Sequence, residues 1–195
     1  MGRSLINNNF VRAARALGAF WAILGVTLIL GSAVLRVLPH AEDAFRSGLS
    51  PLEWVVLIIW SLFMLVGEGY RGFQKQFSPR VAARMWHLLN HGRPVDLVLA
   101  PLYCVGYFRA TNRRVITSWT LTAAITLIIV IVHYFPQPWR GILDTGVVLG
   151  LLYGLVWVYV FTIQTLKNKA YLVDPEIKNF TKPKIAPKTP VRPLK

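Results

Sequence analysis

Apolar residues gather in four long runs, at 16–37, 54–70, 115–134 and 142–166, separated by short stretches that hold nearly all the charge. A hydrocarbon layer about 30 Å thick takes about 20 helical residues at 1.5 Å each, and each run comes close to that length. Stretches such as "WTLTAAITLIIVIV" carry no charge at all. The pattern predicts an all-α integral membrane protein, a bundle of four transmembrane helices. Trp54, Tyr70, Tyr134 and Trp139 stand near the ends of the runs, where an aromatic belt places such rings.

Two further segments interrupt the stretch between the second and third runs. In 79–91, Ser78 is placed as an N-cap, Pro79 as the first helical residue, and Gly92 with Pro94 as the stop. Arg80, Arg84, His87 and His91 recur on one side of that helix, while Val81, Met85, Leu88 and Leu89 fall on another. This reads as a cytoplasmic amphipathic helix whose basic stripe meets lipid phosphates. The segment 94–108 is apolar but too short to cross, and Pro101 breaks it. It reads as a re-entrant or interfacial helix, or as a helix lying on the cytoplasmic end of the bundle.

Charge gives the bundle a direction. Residues 1–15 carry +3, 36–53 carry −1, and in 71–114 eight Lys or Arg against Asp96 give +7. The tail 167–195, rich in Pro and Lys, carries +6. Positively charged flanks stay inside, so both termini and the central loop are expected in the cytoplasm, with the protein in the inner membrane of a bacterium. The run 16–37 is too long for a cleaved signal core and no A-x-A site follows it, which makes it a signal anchor. The composition agrees: 54% of the 195 residues are apolar and only 15% charged. The net charge of +14 sits at membrane edges, which accounts for it without nucleic acid. The tail is too polar to bury a core and is expected to be extended, with weak P-x-x-P spacings at 187–193.

Candidate chemistry is sparse. Glu68, between Gly67 and Gly69, is an acid where hydrocarbon gives way to positive charge. Pairing with Arg71 or Arg84 would pin the second span to the basic loop, and a general base or proton relay is the chemical alternative. Glu68, His87, His91 and Asp96 are the catalytic candidates should the protein be an enzyme. Arg71, Lys75, Arg80, Arg84 and Arg93 are the candidates for anionic lipid or another anion. His87 and His91 form H-x-x-x-H, but two imidazoles do not complete a metal shell, so neither a metal nor another cofactor is expected. The single cysteine, Cys104, excludes an internal disulfide.

Small residues mark faces for helix packing. Gly146, Gly150 and Gly154 form a doubled G-x-x-x-G in the fourth run, and Ser118, Thr122 and Thr126 repeat at the same spacing in the third. The glycines are expected either to close the bundle or to recruit a protein partner or a second copy through the fourth span. The sequence thus points to a small non-catalytic membrane subunit or assembly factor that packs against partner helices and anionic lipid. An enzyme or carrier for a lipid or anionic substrate at the cytoplasmic interface is the alternative. A channel is disfavoured, since no run carries a continuous polar stripe.

Overall fold

The computed structural model describes residues 2–178 and residue 180. Its named elements are all helical: α1 (Gly2–Arg46), α2 (Pro51–Met64), a π-helical segment (Leu65–Phe77), α3 (Ser78–His91), α4 (Pro94–Val98), α5 (Ala100–Val105), α6 (Asn112–His133) and α7 (Trp139–Asn168). Four helical stretches are long and apolar enough to span a membrane, Asn9–Arg46, Pro51–His91, Asn112–His133 and Trp139–Asn168. The P-x-x-P positions at 187–193 lie outside the described residues.

Antiparallel α1 and α7 form the centre of the bundle. Thr27 Oγ1 lies 2.9 Å from the Tyr159 hydroxyl, and further along α1 the Gln137 amide donates to the His40 carbonyl at 3.2 Å. α2 lies along α7 in the same direction. The Trp60 indole N–H donates to the Leu143 carbonyl at 3.1 Å and thereby sets their register. α2 begins with a capping box: Ser50 Oγ accepts from Glu53 N at 3.4 Å, and Glu53 Oε2 accepts from Ser50 N at 2.7 Å, with Pro51 at the start. That S-P-L-E signal places the helix start three residues before the apolar run.

The second span does not end at Tyr70 in a loop. The chain continues without a break through the π segment into α3. Ser78 is therefore no N-cap: its φ and ψ of −60° and −44° are helical, and its N–H bonds the Phe73 carbonyl five residues back. A proline inside an ordinary helix clashes with the carbonyl four residues earlier. Pro79 stands where the wide i→i+5 turn gives way to an α-helix, so the strain falls at a place where the ladder already changes. The SP dipeptide that reads as a helix start is a change of helical pitch.

α3 is packed into the bundle rather than laid over its end. Val81, Met85 and Leu88 join Ala19, Ala22, Val26 and Leu30 of α1, Ala100, Tyr103 and Cys104 of α5, and Val158 of α7 in one core. α4 and α5 run along α1: Leu97 covers Gly18, Pro101 covers Gly25, and the Trp21 indole donates to the Val98 carbonyl at 3.1 Å. Gly106, at φ 99°, turns the chain out of α5 in a conformation that disfavours any side chain. After α7, residues 170–178 form a strap back across α3, with Ala110 and Ile177 joined in an isolated bridge. The stretch assigned to the tail thus begins with an ordered, docked segment.

α6 stands apart. Ser118 is its one buried residue among the described ones, and most of its apolar side chains are exposed.

Candidate functional site

Arg84 is the most deeply placed charged group, with 1% of its surface exposed. Its Nε donates to the Pro175 carbonyl at 2.9 Å, Nη1 to the Tyr103 carbonyl at 2.5 Å, and Nη2 to the Glu176 carbonyl at 3.2 Å. The planar guanidinium suits this task because its donors leave in a fixed fork. Buried charge is costly unless its donors are met, and here peptide dipoles from α5 and the strap meet them. The Tyr103 ring lies 5.3 Å from the guanidinium carbon. Arg80, one turn earlier, reaches Glu176 at 3.4 Å and the Gln76 carbonyl at 2.6 Å. Thr111 N completes the attachment by donating to the Glu176 carbonyl at 2.8 Å.

The expected basic stripe is thereby divided. Arg84 cannot present its head to a lipid phosphate, a correction whose cause is the strap, which no periodicity of α3 could announce. Arg80 is partly engaged, whereas Arg71 and Arg93 are exposed. Lys75 rests over the Tyr70 ring at 4.4 Å.

His87 Nδ1 lies 3.1 Å from the Tyr171 hydroxyl of the strap and stacks on His91 with ring centroids 5.0 Å apart. Burial holds the Tyr171 phenol above its ordinary pKa, so it stays protonated beside the imidazole. Asp96 accepts from the Arg93 backbone N–H at 3.4 Å at the start of α4, and from Arg109 Nη1 at 2.9 Å. Its other oxygen, Oδ1, is buried without a hydrogen-bond partner among the described residues. No group of three His, Cys, Asp or Glu side chains able to hold a metal occurs among the described residues.

Glu68 belongs to a different place. It lies in the π segment against α7, where a Cβ built on Gly150 would stand 3.3 Å from Glu68 Oε2. Gly150 is eight residues beyond Ile142, about 12 Å into the fourth apolar run at 1.5 Å per residue. The acid is thus well inside that run instead of at its end. The pairing expected with Arg71 or Arg84 is absent: among the described residues, none of the ion pairs within 4.0 Å involves Glu68.

The glycine ridge is filled from within the chain. Trp60 and Met64 cover Gly146, Glu68 covers Gly150, and Phe73 covers Gly154. The spacing along α2 is four residues and then five, while α7 advances four each time. The π turn supplies the extra residue that keeps side chains over successive glycines. A partner or second copy expected at this ridge would find it occupied. On α6, Ser118 Oγ donates to the Val105 carbonyl at 3.3 Å and Thr122 shares a 2.5 Å hydrogen bond with Tyr107. Thr126 only bonds back to the Thr122 carbonyl at 2.9 Å.

The sequence reading missed one polar group. Near the 134–138 turn, Arg140 Nη2 lies 2.7 Å from His40 Nε2, and Arg140 Nε lies 3.8 Å from the buried Asp144. The i,i+4 spacing of Arg140 and Asp144 was its available signal. No protein-family model matches this chain, and neither a curated protein nor a solved structure matches it.

Proposed function

We propose that this protein is a small non-catalytic membrane subunit or assembly factor, whose bundle packs against a partner's helices and against anionic lipid. The observation that carries this reading is the condition of α6. A spanning helix gains nothing hydrophobic by leaving lipid for a neighbour, so spans associate through close packing and polar contacts. α6 makes its polar contacts near its start, through Arg114, Ser118 and Thr122, and its later residues Ile125, Ile128 and Ile129 all face outward. A span left so free within its own bundle is available to a helix from elsewhere.

The polar groups favour the same reading over catalysis. Glu68, Arg84, His87 and Asp96 do not share one hollow: Arg84 is spent on carbonyls, His87 on Tyr171 and Asp96 on Arg109, while Glu68 lies against α7. The exposed Arg71 and Arg93 are the residues left to meet anionic lipid. The charge distribution supports a bacterial inner membrane with cytoplasmic termini, and the α4–α5 segment, which reaches the level of Gly25, supports a re-entrant element.

The test is purification in a mild detergent, followed by mass spectrometry of proteins and lipids retained with the chain. A stoichiometric membrane protein and enriched anionic lipid are expected. A preparation that carries neither, yet turns over a lipid substrate, would replace the subunit by an enzyme.

A further inference from the structure

The second span holds two charges that the bundle leaves unpaired: Arg71, exposed, and Glu68, which is also exposed but stands at the edge of the contact with Gly150 of α7. Glu68 and Arg71 are three residues apart in the π segment, both exposed, and no ion pair within 4.0 Å joins either to any described residue. Next to them is open backbone. A Cβ on Gly67 would meet nothing within 4 Å, and one on Gly72 would meet only the Gly67 carbonyl, at 3.5 Å. Gly67 and Gly72 thus leave two open places on the π segment at which another backbone can come close.

Toward the start of the span the same helix carries a shallow apolar groove, lined by Val56, Ile59, Trp60 and Phe63. Ile59 and Phe63 are each 63% exposed. Groove, open glycines and the two charges follow one another along one helix. Ionisable side chains at membrane depth pair with one another or with backbone rather than stand in hydrocarbon alone. Here the opposite charges are present, but on one turn, unpaired with each other.

We propose that this face binds a second copy of the chain. In a two-fold dimer with its axis along the bilayer normal, both π segments lie at the same depth and each residue contact is made twice. Glu68 of one copy then pairs with the partner's Arg71, and Arg71 with the partner's Glu68. Charge complementarity singles out this occupant: the pattern is complementary to itself, which a lipid or an unrelated span need not match. Trp60 and Phe63 fill the apolar half of the interface, and the Gly67–Gly72 pair sets the close approach. The inference rests on the packing-subunit reading and names one of its partners, on a face separate from α6.

The test is disulfide trapping in native membranes of the full chain in a Cys104→Ser background, with single cysteines at Phe63, Gly67 or, as an off-face control, Ile58. Phe63→Cys and Gly67→Cys are expected to give a covalent dimer on mild oxidation, and Ile58→Cys is not. Glu68→Arg and Arg71→Glu, each in the Gly67→Cys background, should each lower dimer yield roughly tenfold, as the loss of two polar pairs within a membrane implies. The double exchange should restore it, because it recreates both pairs with the signs reversed. Should a charge variant fail to insert, the comparison of Gly67→Cys with Ile58→Cys still decides. Equal trapping at both positions, or a double exchange no better than the single ones, overturns the dimer. A monomer that still co-purifies with another membrane protein overturns the dimer and leaves the subunit reading standing; a monomer with no companion protein overturns both.

Discussion

Glu68 sits directly over Gly150: a side chain on that glycine would begin 3.3 Å from Glu68 Oε2 and 3.4 Å from Glu68 Cβ. The acid is thus placed by the absence of a side chain on the facing helix. Gly150→Leu should force α2 and the π segment off α7, at an overpacking cost of about 1–3 kcal/mol. Gly154→Leu should cost at least as much, since its space is filled by the Phe73 ring. Val156, on the same helix, is 59% exposed and serves as the control. Val156→Leu should stay within about 0.5 kcal/mol of the parent. Thermal scans of the detergent-solubilised protein measure all three, and an unchanged Gly150→Leu melting temperature would mean the helices do not meet there.

The Arg84 fork supplies a second prediction. Arg84→Lys keeps the charge but offers no planar fork, and leaves carbonyls of Tyr103, Pro175 and Glu176 without donors. A loss of about 2–4 kcal/mol is expected, in the range for breaking a buried charged network. The strap should loosen first, so trypsin should cut faster after Lys169 and Lys178. Arg80→Gln, which loses a partly exposed ion pair at 3.4 Å and a local bond to the Gln76 carbonyl but no buried fork, should cost about 1 kcal/mol. Equal protease resistance in Arg84→Lys and the parent would mean the strap is held by something else.

What the sequence showed and what it hid follow from the range of the interactions. Four spans were legible because hydrophobic length is a local property, written within each run. The joining of α2 to α3 was not, because Gly67, Gly69, Gly72 and Pro79 all argue locally for a break. The glycines of α7, more than seventy residues away, are what make a π turn a good fit there. Arg84 was legible as basic but not as buried, since its three acceptors come from α5 and the strap. Glu68 was legible as an acid beside apolar sequence, but its place against Gly150 was not, because depth along α7 is a tertiary quantity.

The orientation can be tested by reporters placed where the chain leaves the helices. With positive flanks inside, an enzyme active only outside the cytoplasm should work when fused after Gly48 and be silent after Thr111 or Lys178. Gly48 lies in the turn between α1 and α2, Thr111 precedes α6, and Lys178 ends the strap. Activity after Thr111 would invert α6 and α7 and remove the re-entrant reading of α4 and α5.

The last prediction separates lipid-facing from bundle-facing positions on the two final spans. Ile128 is 57% exposed on α6, while Val158 of α7 is 0% exposed and belongs to the core. Val158→Ala removes two methyl groups from a packed site and leaves a cavity, which should cost about 1–3 kcal/mol. Ile128→Ala removes more carbon but from a surface that only lipid or a partner touches, so the isolated chain should change by about 0.5 kcal/mol or less. The order is therefore the reverse of what side-chain size alone would give. With Ile125 and Ile129 also changed to Ala, the isolated chain should keep its melting temperature while losing whatever membrane protein co-purifies with it. Ser118→Leu should behave differently from either, because Ser118 Oγ is bonded to the Val105 carbonyl beside the Gly106 turn. It should detach α6 at its root and lower stability together with partner retention. A triple alanine variant that destabilises the isolated chain as much as Val158→Ala would show that α6 packs into its own bundle, and the face offered to a partner would have to be sought on α2.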